Sequence, residues 1–442
     1  MKFAKKTLAL TLTGAMAMSM AACGSSSGDS GAADAGDASN PTKILVWSWE
    51  YSINDDVVAA FEKEHPEIDV DVQSVGGGEE TVLALSNALS AGSGAPDLVQ
   101  VNYNTFPQYG LDGSLEDLTQ FGIKDLMDDM SAGVTGSITS GDKVVGVPFG
   151  TGPMALFYNK EIFDKAGVSE APKTWDEYYE AAKKIHALGP NYYITNDSVE
   201  ADIMHSLLWA SGGYPYQIDG ENITIDFDKP EITKFIEFWQ KLLDEDLVDT
   251  KTRCWTEEWF KGINDGTIAS IMSGAFMPSS LTGSSADVAG KMRVATIPSW
   301  DAANPTSSEA GGSGMGIPTG TDPAKAKAAY TFAEWLFNGK GADLLMENGL
   351  YPASIKKSTE QSFLDKEFEY FGGQKINEVF AESVKTVNEG WQFLPYEPHA
   401  ETLYRDIVGK AYTEGGAIES KLPEYVKTIV QYGKDQGFKV NE

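Results

Sequence analysis

The segments KILVW (43–47), NDDVVAAFEKEHP (54–66), IDVDV (68–72), TVLALSNALSA (81–91) and LVQV (98–101) follow one another along the chain and decide the fold. KILVW is a short apolar run of the kind a buried strand requires. Asn54 stands as an N-cap, after which Val57, Val58 and Phe61 give a helix its apolar face until Pro66 stops it. Ile68, Val70 and Val72 alternate with Asp69 and Asp71, which is the period of a strand with one buried face. Val82, Leu85 and Leu89 line a second helix over Thr81 to Ala91, closed by Gly92 and Gly94, and Pro96-Asp97 leads into the strand Leu98 to Val101. This βαβαβ order predicts an α/β fold with a mostly parallel sheet covered by helices, in which ligands collect at the carboxyl ends of the strands.

Beyond this unit, Lys143 to Pro148 and Met154 to Asn159 read as strands with a break at Gly150-Thr151-Gly152-Pro153. Thr174-x-x-Glu177 has the form of a capping box. Phe235, Ile236, Trp239, Leu242 and Leu243 recur at helical spacing, as do the apolar residues of Ala324 to Phe337, whereas Leu281 to Gly290 and Ser307 to Gly316 read as Gly- and Ser-rich loops. The chain has 442 residues, 42% of them apolar, enough for two or three well-packed units. Its net charge of −31 repels phosphate backbones and anionic lipid headgroups, which argues against a nucleic-acid partner. Cys23 and Cys254 are the two cysteines, and the four histidines are scattered without helical ligand spacing, so a disulfide framework, a metal site and a cofactor are not expected.

The amino terminus reads as an address. Lys2, Lys5 and Lys6 precede an uncharged stretch from Thr7 to Met20 that is too short to span a membrane, and Met20-Ala-Ala-Cys23-Gly24 resembles the lipobox of bacterial lipoproteins. The expected division is a signal peptide over 1–22 and a lipidated Cys23 heading a flexible linker over 23–42. Residues 24–40 hold only Gly, Ser, Ala, Asp and Asn, with nothing to bury.

The exported part resembles the family 1 extracellular solute-binding proteins of ABC importers, the group that includes maltose-binding protein. The resemblance rests on ordered pieces: Phe61-Glu-Lys-Glu-His-Pro66, Leu89-Ser-Ala-Gly-Ser-Gly-Ala-Pro-Asp97, Gly146-Val-Pro148, Leu156-Phe-Tyr-Asn-Lys160, Phe163-Asp-Lys-Ala-Gly167, Ile268-Ala-Ser-Ile-Met272-Ser-Gly274-Ala-Phe276 and Ala329-Tyr-Thr-Phe-Ala-Glu-Trp335. It implies two α/β lobes with a hinge and an interlobe cleft. The first lobe is expected over 43–149 plus 301–352 and the second over 150–300 plus 353–442, with crossings near Pro148 to Pro153, Pro298 to Trp300 and Tyr351 to Ser354. It further implies a lipid-anchored monomer on the extracellular face of the cytoplasmic membrane, which delivers its ligand to ABC permease subunits and needs no cofactor.

A sugar is the expected ligand, because ten Trp, 18 Tyr and 20 Phe exceed what a core of this size requires. An aromatic face stacks on the C–H face of a pyranose, and a ring contact contributes about 0.5–1.5 kcal/mol beyond its buried area. Candidate ligand-binding residues lie on segments after strands or at positions the resemblance brings to the cleft: Trp47, Trp49, Glu50, Asn102, Tyr103, Trp209, Trp255, Phe276, Gly312, Trp391 and His399, with Tyr396 beside the last. Trp175, Trp239 and Trp335 sit in helical patterns or caps and read as core. Two other classes are weaker. An exported glycosidase would need a carboxylate pair, and Glu257-Glu258 or Asp55-Asp56 arise by chance among 65 acids. A surface adhesin would bind polymer without hinge closure. Peptides and cations remain the alternative solutes.

Overall fold

Local sequence sets the first element pair. The Asn54 side chain accepts the Val57 N–H at 3.1 Å, and the helix runs Asp55–Glu64 with Val57 and Phe61 buried. The next helix, Gly78–Ala91, begins three residues ahead of Thr81 and ends on Gly92, whose φ of 65° is one that L side chains avoid. A computed structural model describes residues 36–49 and 53–442. The expected signal peptide, Cys23 and Glu50 lie outside the described residues.

The strands Thr42–Trp47, Ile68–Gln73 and Leu98–Asn102 pair in parallel, as the βαβαβ reading requires. Glu309–Gly316 and Val147–Pro153 extend this sheet, the former antiparallel to both of its neighbours. A first core built on Val46, Leu98, Phe106, Phe332 and Leu336 surrounds it. A second sheet is antiparallel, with Ala155–Asn159 between Ser270–Ser273 and Met292–Thr296. The alternation of its central strand divides the remaining core in two. Leu156 and Tyr158 face a cluster with Trp175, Trp239 and Tyr404, while Ala155 and Phe157 face one with Val294, Phe371 and Phe380. The capping box forms, with Glu177 N–H donating to Thr174 Oγ1 at 3.2 Å. Trp175, Trp239 and Trp335 are core residues.

Two expectations fail at the passage between the cores. Gly150 to Pro153 is not a break but part of the strand Val147–Pro153, and most of the expected loop Ser307 to Gly316 is the strand Glu309–Gly316. Glycine hides these strands from a pattern search, because it contributes no side chain to the alternation. It is present for close approach: a Cβ on Gly152 would lie 2.1 Å from the Ala310 carbonyl oxygen, and one on Gly314 would lie 2.9 Å from that of Val147. Ser299 pairs with Thr174 and Trp300 packs on the Trp175 core, so the chain changes cores between Ala310 and Met315. Gly150 pairs with Pro352 to bring a third segment alongside. The expected helix-free stretch Leu281 to Gly290 overlaps the helix Met277–Ser284.

Candidate functional site

One wall of the site is built on a strained residue. Thr256 caps the helix Glu257–Asp265 by accepting the Trp259 N–H. Trp255, immediately before it, holds φ at 64°, in the left-handed region that costs a bulky L residue about 1–2 kcal/mol. This backbone presents the indole outward: Trp255 is 53% exposed, and Phe276, its neighbour at 6.1 Å between ring centroids, is 37% exposed. Trp259 supports Trp255 from behind at 5.2 Å and is itself fixed by donating from Nε1 to Asn196 Oδ1 at 2.7 Å. The cavity under these rings is lined by Asp197, Asp202, Cys254, Met272 and Met277. Burial raises the Asp197 carboxyl above its ordinary value even though Trp239 Nε1 and Tyr412 OH donate to it, and burial pushes the Cys254 thiol up to about 11, which leaves it unreactive at neutral pH.

The adjoining cavity contains a second aromatic pair with a different character. Trp209 and Trp391 stack at 5.5 Å and 9°, and they are only 3% and 7% exposed. Trp209 Nε1 donates to the Asn388 carbonyl at 2.6 Å, Asn388 Nδ2 returns bonds to the carbonyls of Trp209 and Ala210, and a Cβ on Gly133 would lie 2.9 Å from the Trp209 ring edge. One Trp209 face is thus covered by Trp391 and its edge by Gly133. Glu309 lies beside them, buried, accepting from Ser131 Oγ at 2.7 Å and from the Thr151 hydroxyl. Burial raises its carboxyl above the usual range despite these donors.

A third cavity is lined by Trp49, Gln100, Asn102, Phe276, Gly312 and Tyr351. Gln100 organises it: its Oε1 accepts from Ser48 Oγ and the Trp49 N–H, and its Nε2 donates to Ser313 Oγ. Gly312 holds φ at 100°, and a Cβ there would lie 2.7 Å from the Tyr103 ring, so only glycine fits. Gly311 lines all three cavities, so they adjoin along the crossing strand and together form a cleft.

Of the residues expected from sequence, Trp49, Asn102, Tyr103, Trp209, Trp255, Phe276, Gly312 and Trp391 line this cleft. Trp47 does not, because it lies inside a paired strand and packs on the first core, two residues before Trp49 leaves the sheet. His399 stacks on Tyr432 at 3.8 Å, and Tyr396 packs on Tyr432 and Phe438. On the helix Glu397–Ile407, Glu397 and Glu401 share one face by their spacing of four, and His399 between them points elsewhere. Sequence reasoning missed Asp202, His205, Glu309 and Glu401. The three-residue spacing of Asp202 and His205 and the four-residue spacing of Glu397 and Glu401 are signals that could have found them.

Two helix-covered sheets with separate cores, joined by side-by-side crossing strands that border an aromatic cleft, define a two-lobed solute-binding protein. The chain belongs to the bacterial extracellular solute-binding protein family, whose model matches residues 47–343. It is 26% identical over 365 residues, 80% of each chain, to the arabinooligosaccharide-binding protein of Halalkalibacterium halodurans. Among solved structures it is similar to the ABC transporter associated binding protein from B. animalis subsp. lactis Bl-04, in complex with beta-1,6-galactobiose. That pair shares 42% identity and a TM-score of 0.80, over 91% of this chain and 100% of that one. The galacto-N-biose-/lacto-N-biose I-binding protein from Bifidobacterium longum, in complex with lacto-N-biose, is 25% identical with a TM-score of 0.77, over 91% and 99% of the two chains. The family and these relatives are binding proteins rather than enzymes. Among the described residues no helix is long and apolar enough to cross a membrane.

Proposed function

We propose that this chain captures an oligosaccharide in the cleft, closes its lobes around it, and delivers it unaltered to the membrane subunits of an ABC importer. The observation that carries the reading is the Trp255–Phe276 wall. Two large rings are held open to solvent, one of them by a strained backbone, and such strain persists where the surrounding structure enforces it for a function. Trp49, Asn102 and Tyr103 face the cleft from the first sheet and supply polar edges and a second set of rings. The ligands of the sugar-binding relatives support the same class.

In this reading the first lobe is 43–149 with the chain from Met315 to 352, and the second is the chain from Met154 to Ala310 with 353–442. The hinge is the bundle of crossing segments, where a few residues absorb the angle change. The chain acts as a monomer, tethered through a lipid on Cys23 after removal of residues 1–22. Replacing Cys23 by Ala should release the protein from the membrane fraction, and retention there would remove the anchor from the account.

A thermal-shift panel tests the ligand class in chelator-containing buffer. It would include monosaccharides, β-1,6-galactobiose, lacto-N-biose, arabino-oligosaccharides, a short peptide and a polyamine. A saccharide at a hundredfold over its dissociation constant should add about 2.7 kcal/mol of apparent stability. A response to the peptide or polyamine and to no saccharide would refute the reading.

A further inference from the structure

Behind Trp391, three metal-ligating side chains from two helices converge. His205 comes from Ala201–Ala210, and Glu397 and Glu401 from Glu397–Ile407. His205 is 2% exposed and Glu397 is fully buried. His205 Nδ1 lies 2.9 Å from Glu397 Oε1, yet neither atom has a partner in hydrogen-bond geometry, and His205 Nε2 has none either. Buried polar atoms left in this way are costly. One ligand atom from each of the three residues lies within 4.8 Å of the others.

We infer that His205, Glu397 and Glu401 form a binding site for a first-row divalent cation of the zinc type, open towards the cleft. Two ligands at about 2.0–2.2 Å from one ion, some 90–110° apart, are separated by about 2.8–3.6 Å. The Nδ1–Oε1 approach matches one edge of that polyhedron. Glu401 is half-buried, and bringing its carboxylate into the set takes a movement of roughly 1 Å. Asn104 Nδ2 donates to Glu401 Oε1 at 3.1 Å and orients it, as outer-shell partners of ligating carboxylates do. One imidazole with two carboxylates suits Zn²⁺ above Mg²⁺. The spacing of histidines along the chain does not reveal the set, because only one ligand is a histidine and the others lie on a separate helix. The site is independent of the ligand class proposed above.

Titrating chelator-stripped protein with zinc chloride by calorimetry, without saccharide, tests this, with magnesium chloride as control. The expected result is one Zn²⁺ per chain, no saturable Mg²⁺ binding at this position, and at least tenfold weaker Zn²⁺ binding in both His205→Asn and Glu401→Gln. If His205→Asn does not fold, the half-buried Glu401→Gln still decides. Absence of stoichiometric Zn²⁺ binding, equal binding of Mg²⁺, or Zn²⁺ affinity unchanged in Glu401→Gln would overturn the site.

Discussion

The two aromatic pairs of the cleft are chemically alike and physically opposed. Trp209 and Trp391 face each other, are nearly free of solvent, and have the Trp209 N–H engaged by Asn388. Trp255 and Phe276 stand partly in solvent, and no hydrogen bond to the Trp255 indole accounts for its outward orientation among the described contacts; the backbone φ of 64° does. The first pair is packed within the protein, with the Trp209 N–H engaged and the buried Trp391 N–H left without a partner. The second keeps part of its ring surface exposed, which is the surface the proposed function assigns to a ligand. An aromatic residue on a cleft is therefore informative only when its exposure and backbone are known with it.

The largest expected effect tests the first half of this contrast. Trp209→Ala removes a buried indole and should lower unfolding free energy by about 3–5 kcal/mol in urea titrations, whereas Trp255→Ala should cost no more than about 1 kcal/mol, as surface substitutions do. Comparable losses at both positions would break the comparison. The second effect reverses the order. Trp255→Ala should weaken saccharide binding at least tenfold, about 1.4 kcal/mol, with the fold intact by circular dichroism. Third, Trp255→Gly should be more stable than Trp255→Ala by about 1 kcal/mol, because glycine adopts the left-handed backbone without strain; equal thermal midpoints would mean that φ carries no strain.

The smallest effect concerns Glu309, which joins the crossing strand to the helix Ala132–Ile138 through Ser131. Burial places its folded-state value above the ordinary 4.5. The folded state then holds the proton more tightly than the unfolded chain, so the stability this group contributes is complete below about pH 4.5 and is lost as pH rises through the raised value. Glu309→Gln should make the decline of stability with rising pH shallower, as read from urea midpoints between pH 4.5 and 8. An unchanged slope would assign the pH dependence to other acids.

Much of the fold was legible where side chains carry the period. Asn54, the capping box at Thr174 and Glu177, and the alternation of Ile68, Val70 and Val72 each produced the element they announced. The strand Glu309–Gly316 was not legible, because half of its residues are glycines placed for backbone approach. At the site, Trp49 and Tyr103 follow strands and Asn102 ends one, and all three line cavities, whereas Trp47 lies inside a paired strand against the first core. Trp209 lines the cleft as expected, and only the structure reveals that its ring is already covered. The four-residue spacing of Glu397 and Glu401 is visible in the sequence, but their meeting with His205 arises from packing of two helices far apart along the chain, which no local pattern records.

The central claim is that the exposed Trp255–Phe276 wall holds a saccharide. Calorimetric titration of the saccharide selected by the thermal panel into the wild type and Trp255→Ala tests it most directly. The account predicts saturable one-to-one binding that weakens at least tenfold in the variant; superimposable isotherms for the two proteins would contradict it.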